Sequence, residues 1–293
     1  MKYDEDIVLI AGPTASGKTA LAIEIAKSGN GIIINADSMQ IYEGLRIITA
    51  RPTSDEEAEA PHYLFGYKNP AEHFSVAQWL SDVERLLNGF LIEKRQVIFV
   101  GGTGLYFNTL LEGLSPMPEI KPEIRTKWRN VKETEVEALH EQLCVLDPAA
   151  ARTLHPSDRQ RIIRALEVFE STGQSITEWQ KAKGEPLITT SQRVHKILKM
   201  PERSLLHERI IQRFKTMVEQ GGVAEVEAFL RRKLDPDLPA MKAIGVPQLA
   251  AYLNDEISLI EAVERGQAVT RQYAKRQSTW FRNSFDEGWE IRQ

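Results

Sequence analysis

The sequence predicts an α/β fold in which a parallel sheet is covered by helices and interrupted by a wholly helical insertion. Three observations carry that expectation. Short apolar runs alternate with helical periodicity through the first third of the chain. A glycine-rich turn, GPTASGKT (12–19), joins the first run to the first helix. From the proline-spaced LSPMPEIKPEIR (114–125) to about residue 190, only helical spacing is found. Strands that alternate with helices imply a parallel sheet buried on both faces.

Taken in order, DIVLIAG is a buried strand, and KTALAIEIAKS places Leu21, Ala22, Ile25 and Ala26 on one helical side. GIIINAD (31–37) is a second strand, expected beside the first. TSDEEAEAPHY (53–63) is an acidic, solvent-facing helix and loop. SVAQWLSDVERLLNGFLIEKR (75–95) is amphipathic, with Val76, Trp79, Leu80, Val83 and Leu87 toward the core. QVIFVGG (96–102) is a third strand, followed by a helix from Leu105. The insertion, drawn at 119–191, holds helices in EIRTKWRNV, EVEALHEQLCVL and SDRQRIIRALEVFESTG, the last capped by Ser157 and stopped near Gly173. VHKILKM (194–200) is a further strand, with helices to the end. Residues 1–118 and 192–293 then form the core.

Composition excludes several classes. With 42% hydrophobic and 27% charged residues, the chain resembles ordinary globular proteins and not disordered ones. The net charge of −4 means that any nucleic-acid partner must be met by local patches. A single cysteine, Cys144, rules out a disulfide framework or multi-cysteine zinc site, and the six histidines have no metal-ligand spacing. No apolar run is long enough to span a membrane, and acids precede the first apolar run, unlike a signal peptide. A cytoplasmic enzyme is the expectation.

GPTASGKT meets the phosphate-loop pattern through Gly12, Gly17, Lys18 and Thr19, between a strand and a helix as that motif requires. The loop amides form an anion nest, Lys18 adds a point charge, and the Thr19 hydroxyl is a ligand for Mg²⁺. The core is accordingly P-loop NTPase-like. In such sheets ligands bind beyond the carboxyl ends of the strands, where Gly12 to Thr19, Asp37 and Gly101 to Gly104 all fall. Asp37 has three readings: metal ligand, turn cap or general base. A carboxylate near a lysine is favoured in its ionised form, ready to accept a proton. GGTGLY (101–106) lacks the metal-binding acid that many triphosphatases carry there. Its glycines would let a ligand approach closely, and Thr103 offers a hydroxyl.

Two acid-poor stretches suit a polyanion: RQRIIR (159–164), with Arg161 and Arg164 on one face, and TRQYAKRQSTWFR (270–282), with Arg271, Lys275 and Arg282 in a stripe opposite Val269, Tyr273 and Trp280. Arg203, just after the last strand, is positioned as a second cation for phosphate. These residues leave open a small-metabolite kinase, a prenyltransferase acting on free adenine nucleotides, and a non-catalytic RNA-binding module.

The segments GPTASGKT, DSMQIYEGLRIITARP, GGTGLY, DPAAARTLHPSDRQRIIRALEVFESTG, AIG (243–245) and YAKRQSTWFRN together resemble the bacterial tRNA dimethylallyltransferases, also called tRNA isopentenyltransferases, over almost the whole chain. The resemblance implies transfer of a dimethylallyl group from dimethylallyl diphosphate to N6 of the adenosine 3′-adjacent to the anticodon, in tRNAs reading codons that start with U. Mg²⁺ is the implied cofactor and the anticodon stem-loop the partner, with the enzyme a monomer. Carried over by position, diphosphate would meet Gly12, Pro13, Thr14, Ala15, Ser16, Gly17, Lys18, Thr19 and Arg203. Asp37 is the implied base, with Lys18 and Thr103 beside it. The tRNA would meet Asp37, Ser38, Met39, Gln40, Thr103, Arg125, Gln160, Arg161, Ile162, Ile163 and Arg164. The chain departs from the family pattern in PHYLFG (61–66) and at Arg51, Ser157 and Val246.

Overall fold

A computed structural model of the protein describes residues 5–131 and 136–293. Residues 1–4 and 132–135 lie outside the described residues, and with them part of the acidic N-terminal opening and the first residue of the helix expected over EVEALHEQLCVL. The chain divides into two compact units, Met1–Leu110 with Ile188–Gln293, and Leu111–Leu187.

The first unit opens with β1 (Ile7–Ala11), α1 (Lys18–Gly29), β2 (Ile32–Asn35), α2 (Ser54–Glu59), β3 (His62–Tyr63), α3 (Val76–Ile92), β4 (Val97–Gly101) and α4 (Gly104–Glu112). The insertion holds α5 (Pro122–Arg129), α6 (Val136–Leu146), α7 (Pro148–Ala151), α8 (Arg159–Thr172) and α9 (Ile176–Lys181). The chain then returns through β5 (Val194–Lys199), α10 (Arg203–Met217), α11 (Val223–Leu230), α12 (Val246–Leu253), α13 (Leu259–Ser284) and β6 (Glu290–Arg292).

The strands form one sheet in the order β3-β2-β4-β1-β5-β6, and every neighbouring pair is parallel. This is the fold class the alternating pattern predicted. All five β1 residues are fully buried, as befits a central strand covered on both faces. Ala22, Ile23, Ile25 and Ala26 of α1 close one face. On α3, Trp79, Val83 and Leu87 are buried as expected, whereas Val76 and Leu80 are only half-buried. Each such large apolar side chain contributes about 1.5–3 kcal/mol on burial.

Register decides where the site lies. Ala11 pairs with Gly101 and with Leu198, and Asn35 pairs with Val100, so these strands end level with one another. Strand β4 lies between β1 and β2. The expectation that β2 borders the phosphate-loop strand is therefore corrected: the GGTG turn stands between Asp37 and the loop. Two strands escaped the sequence reading. β3 has two residues and β6 three, too short to show a pattern, and β6 replaces the helix expected at the end of the chain.

The insertion also begins and ends earlier than the prolines suggested. A Cβ on Gly113 would fall 2.3 Å from the Gly184 carbonyl oxygen, and one on Gly184 would fall 2.1 Å from that of Leu114. Outgoing and returning segments thus press backbone to backbone before the first proline. Ile120, Trp128, Leu139, Leu143, Ile162 and Leu166 give this unit its own core. The cap of α8 is Asp158, whose carboxylate accepts the Arg161 N–H at 3.3 Å; Ser157 instead bonds His155. Gly173 ends α8 with φ 70°, a left-handed turn that a residue without Cβ takes at little cost. Among the described residues no helix is long and apolar enough to cross a membrane.

Candidate active site

The phosphate loop leaves β1 at Gly12, where a Cβ would sit 2.4 Å from the Lys199 carbonyl oxygen, so only glycine fits against β5. Ala15 takes a left-handed φ of 64° and Gly17 one of 88°, which curl the loop into the start of α1. The Lys18 ammonium donates to the Pro13 carbonyl at 2.7 Å. Burial lowers Lys18 to about 7; Asp37 opposes that shift and Arg213 adds to it. Ser16 is wholly buried, and the Thr19 hydroxyl stays partly exposed at the helix start.

Asp37 is held from both sides by Asn35. The Asn35 Oδ1 accepts the Asp37 N–H at 2.8 Å, and its Nδ2 donates to the carbonyls of Asp37 and Leu64, both at 3.0 Å. The Asp37 Oδ1 accepts the Met39 N–H at 3.0 Å, an Asx turn that fixes the carboxylate. The turn-cap reading of Asp37 holds: it shapes its own turn, and its Oδ2 lies on the Gly102 side. The Trp79 indole N–H donates to the Asn35 carbonyl at 3.0 Å, and Tyr106 stacks on that indole at 4.0 Å. Burial, and then the Asp37 charge, push the Tyr106 and Tyr273 phenols well above the usual tyrosine range.

Thr103 is brought to the Asp37 turn, where its Oγ accepts the Ser38 N–H at 3.0 Å and lies 3.3 Å from the Ser38 hydroxyl. Gln40 has a structural task in the turn that the sequence did not show. Its side-chain amide donates to the carbonyls of Thr49 and Ala50, both at 2.9 Å, so its N–H groups tie down the following loop and are not free for RNA. Glu225 of α11 holds the same loop, accepting the N–H groups of Arg46, Ile47 and Ile48 at 2.6–2.8 Å.

The GGTG glycines also serve another purpose than expected. Added Cβ atoms at Gly101, Gly102 and Gly104 would fall 2.0 Å from the Ala36 oxygen, 2.2 Å from Gln277 Nε2 and 1.9 Å from the Trp280 ring. The room is taken by the protein itself, not by an approaching ligand. The fully buried residues of α13 are Ala262, Gly266, Gln267, Ala274, Gln277 and Phe281, while Val269, Tyr273 and Trp280 are half-buried.

Cations reach the loop from α10. Arg213 Nη2 donates to the Thr14 hydroxyl at 2.9 Å, and Arg209 Nη1 is 3.5 Å from the Ser16 carbonyl. Burial works against the Arg213 charge and Asp37 supports it. The expected cation, Arg203, is exposed at the start of α10, where its charge, with that of Arg271, bears on His207. In the sequence Arg209 and Arg213 look like ordinary helix charge, and their i, i+4 spacing after a strand is the signal that marks them.

A family model described as IPP transferase matches residues 40–284, and a second, described as Isopentenyl transferase, matches 5–65. This chain belongs to the IPP transferase family. A tRNA dimethylallyltransferase of Bartonella henselae is 52% identical over 97% of this chain and 98% of its own length. One from Rhizobium meliloti is 50% identical over 98% and 95%. Among solved structures, the full-length tRNA isopentenylpyrophosphate transferase of Bacillus halodurans is similar with a TM-score of 0.69 and 34% identity, over 98% of this chain and 89% of that one. A eukaryotic dimethylallyltransferase acting on tRNA has a TM-score of 0.78 and 26% identity, over 94% and 70%.

In this IPP transferase the residues expected to meet RNA from the insertion fall into two groups. Arg125, Gln160 and Arg161 are exposed. Ile162 and Ile163 are 0% and 4% exposed and belong to the insertion core, which corrects their assignment as contacts: the helical period turns them inward beside Leu166. Nor is the basic face free of acids. Arg161 lies 3.4 Å from Asp158, and the buried Glu167 carboxylate meets Arg129 at 3.0 Å and Arg164 at 3.3 Å.

Proposed function

We propose that this IPP transferase moves the dimethylallyl group of dimethylallyl diphosphate to N6 of the adenosine 3′-adjacent to the anticodon, in tRNAs reading codons that begin with U. The observation that carries the reading is the meeting of a phosphate loop backed by the half-buried Arg213 with a carboxylate, Asp37, whose turn is pinned by Asn35. One end of the site suits a leaving diphosphate and the other an amine that must lose a proton. Membership of the family supports tRNA as the acceptor.

An exocyclic adenine amine is a weak nucleophile, so it needs a base in hydrogen-bond reach. As N6 bonds to the allylic carbon, the carbon–oxygen bond breaks and its electron pair departs with the diphosphate. The N6 proton passes to Asp37. Loop amides, Lys18 and Arg213 stabilise the growing negative charge, which is the term on which electrostatic catalysis rests. The adenine must first leave its stack to reach Asp37.

Mg²⁺ fits the residues present. Thr19 offers a hard oxygen donor at the loop, leaving Asp37 as the base, and among the described residues no cluster of three or more His, Cys, Asp or Glu could form a cage of its own. Mg²⁺ takes few protein ligands alongside phosphate oxygens. When bound, it would neutralise charge on the diphosphate. The reading also carries a cytoplasmic enzyme that acts as a monomer on the anticodon stem-loop.

The test is incubation with unmodified tRNA, Mg²⁺ and labelled dimethylallyl diphosphate. Label in the tRNA is expected, and its absence under varied conditions overturns the reading. Asp37→Asn should lower kcat by about 10²–10⁴-fold while tRNA binding persists. A wild-type chain that binds tRNA without turnover would point instead to a binding module.

A further inference from the structure

Gln277 lies in the basic run of α13 but is 6% exposed. Its Oε1 accepts the Thr14 N–H of the phosphate loop at 2.9 Å. Its Nε2 donates to the Gly102 carbonyl of the GGTG turn, also at 2.9 Å. A Cβ placed on Gly102 would lie 2.2 Å from that Nε2 and 3.3 Å from Asp37 Oδ2. The Gln277 amide and the Asp37 carboxylate therefore flank the same residue. One buried side chain spans the loop that would hold the diphosphate and the turn beside the base.

Two consequences follow from elementary chemistry. The Thr14 N–H is already used, as is that of Ser16, which donates to the Pro13 carbonyl at 3.3 Å, so the anion nest is built from the remaining loop amides. The second is geometric: a planar amide with an acceptor at one end and a donor at the other sets one separation between the two strand ends. Neither a carboxylate nor an apolar side chain can make both bonds.

We propose that Gln277 is a positioning residue that fixes the distance between the leaving-group end of the site and Asp37. The proposal rests on the transferase reading above. Gln277 does not touch the reacting atoms; it acts through Thr14 and Gly102. Displacement by about 1 Å of groups that must meet in line costs turnover far more than it costs binding of either substrate.

The experiment compares wild type with Gln277→Leu, which removes both bonds at similar volume, and Gln277→Glu, which keeps an acceptor for Thr14 but has no donor for Gly102. Steady-state kinetics with dimethylallyl diphosphate and unmodified tRNA are read beside thermal unfolding and binding of inorganic diphosphate. A positioning role predicts that kcat falls by about 30-fold or more in both variants, while both KM values and diphosphate binding stay within about threefold. A kcat within about twofold of wild type in both variants overturns the proposal, as does an effect confined to KM. Loss of diphosphate binding together with a lower unfolding temperature also overturns it, by making Gln277 a residue of the fold. Should Gln277→Leu not fold, Gln277→Glu decides by the same criteria. A wild-type protein that labels no tRNA overturns the transferase reading, a result separate from any difference among the variants.

Discussion

Arg161 and Arg164 of α8 each face a carboxylate, Asp158 and Glu167, whereas Arg209 and Arg213 of α10 face hydroxyl and carbonyl oxygens of the phosphate loop. Both helices read as basic in the sequence. In α8 much of that charge is spent on the insertion's own acids. In α10 Arg213 is set beside a loop built for anions, with Asp37 as its charge support. A half-buried cation whose hydrogen bonds go to neutral oxygens is poised for an incoming anion, while one hydrogen-bonded or ion-paired to a carboxylate has less to offer.

The largest effect that sharpens this contrast is at Arg213. Arg213→Leu should reduce kcat/KM for dimethylallyl diphosphate by about 10²–10³-fold, the scale for one preorganised charge at a developing anion. Arg161→Ala should leave donor kinetics within about twofold and raise only the KM for tRNA. Kinetics on both variants decide the matter. Equal effects on the donor would end the distinction between the two helices.

Lys18 makes the next test. Its ammonium, lowered by burial to about 7, is charged in the free protein below that pH and neutral above it. A diphosphate favours the charged form, so apparent affinity should be highest below pH 7. It should weaken by up to about tenfold per unit above, as long as the bound state keeps its proton. Binding at pH 8 should then take up a proton, which calorimetry in buffers of different ionisation enthalpy measures directly. Lys18→Met should abolish the uptake. No uptake in the wild type at pH 8 would mean that the loop does not desolvate Lys18.

A smaller effect is expected in the insertion. Glu167 is 1% exposed, yet its partners Arg129 and Arg164 are 49% and 35% exposed and can return to water. Glu167→Gln should therefore cost about 1–2 kcal/mol of stability, less than loss of a fully buried pair. Thermal unfolding measures this. With Arg164 released, tRNA affinity should hold or rise. A fall in turnover as large as that for Arg213→Leu would give α8 a role beyond packing and charge pairing.

Much of the fold could be read from residue order because its strands are continuous apolar runs and its loop has a mechanism behind each position. Val97–Gly101 and Ile7–Ala11 leave little choice of environment. His62–Tyr63 and Glu290–Arg292 were illegible because their strand character comes from a neighbour's unpaired edge and not from their own residues. The site was most legible where a residue sits in a motif with one use, as at Lys18 of the phosphate loop; at Asp37 the sequence left three uses open. It was illegible where partners decide the use. The sequence did not show that the Gln40 side-chain N–H groups tie down Thr49 and Ala50, and Gln277 was hidden among lysines and arginines. The glycines at 101, 102 and 104 were seen, but which group fills their space depends on α13, distant in sequence.

Arg203 offers the finest test of this lesson, since its position after β5 made it an attractive phosphate cation. Arg209 and Arg213 lie six and ten residues further along the same helix, about 9 and 15 Å along the axis at 1.5 Å per residue. A diphosphate held by Arg213 is thus beyond the reach of Arg203 unless the side chain folds back along α10. Its charge bears instead on His207, which burial and then Arg203 and Arg271 hold below the usual histidine value. Arg203→Ala should change the KM for dimethylallyl diphosphate by no more than about twofold, and lower the salt dependence of tRNA binding by about one phosphate contact at most. Removal of a like charge favours protonation, so the His207 titration seen by NMR should move upward. A tenfold rise in donor KM (about 1.4 kcal/mol) would return Arg203 to the diphosphate and weaken the case that Arg213 serves it alone.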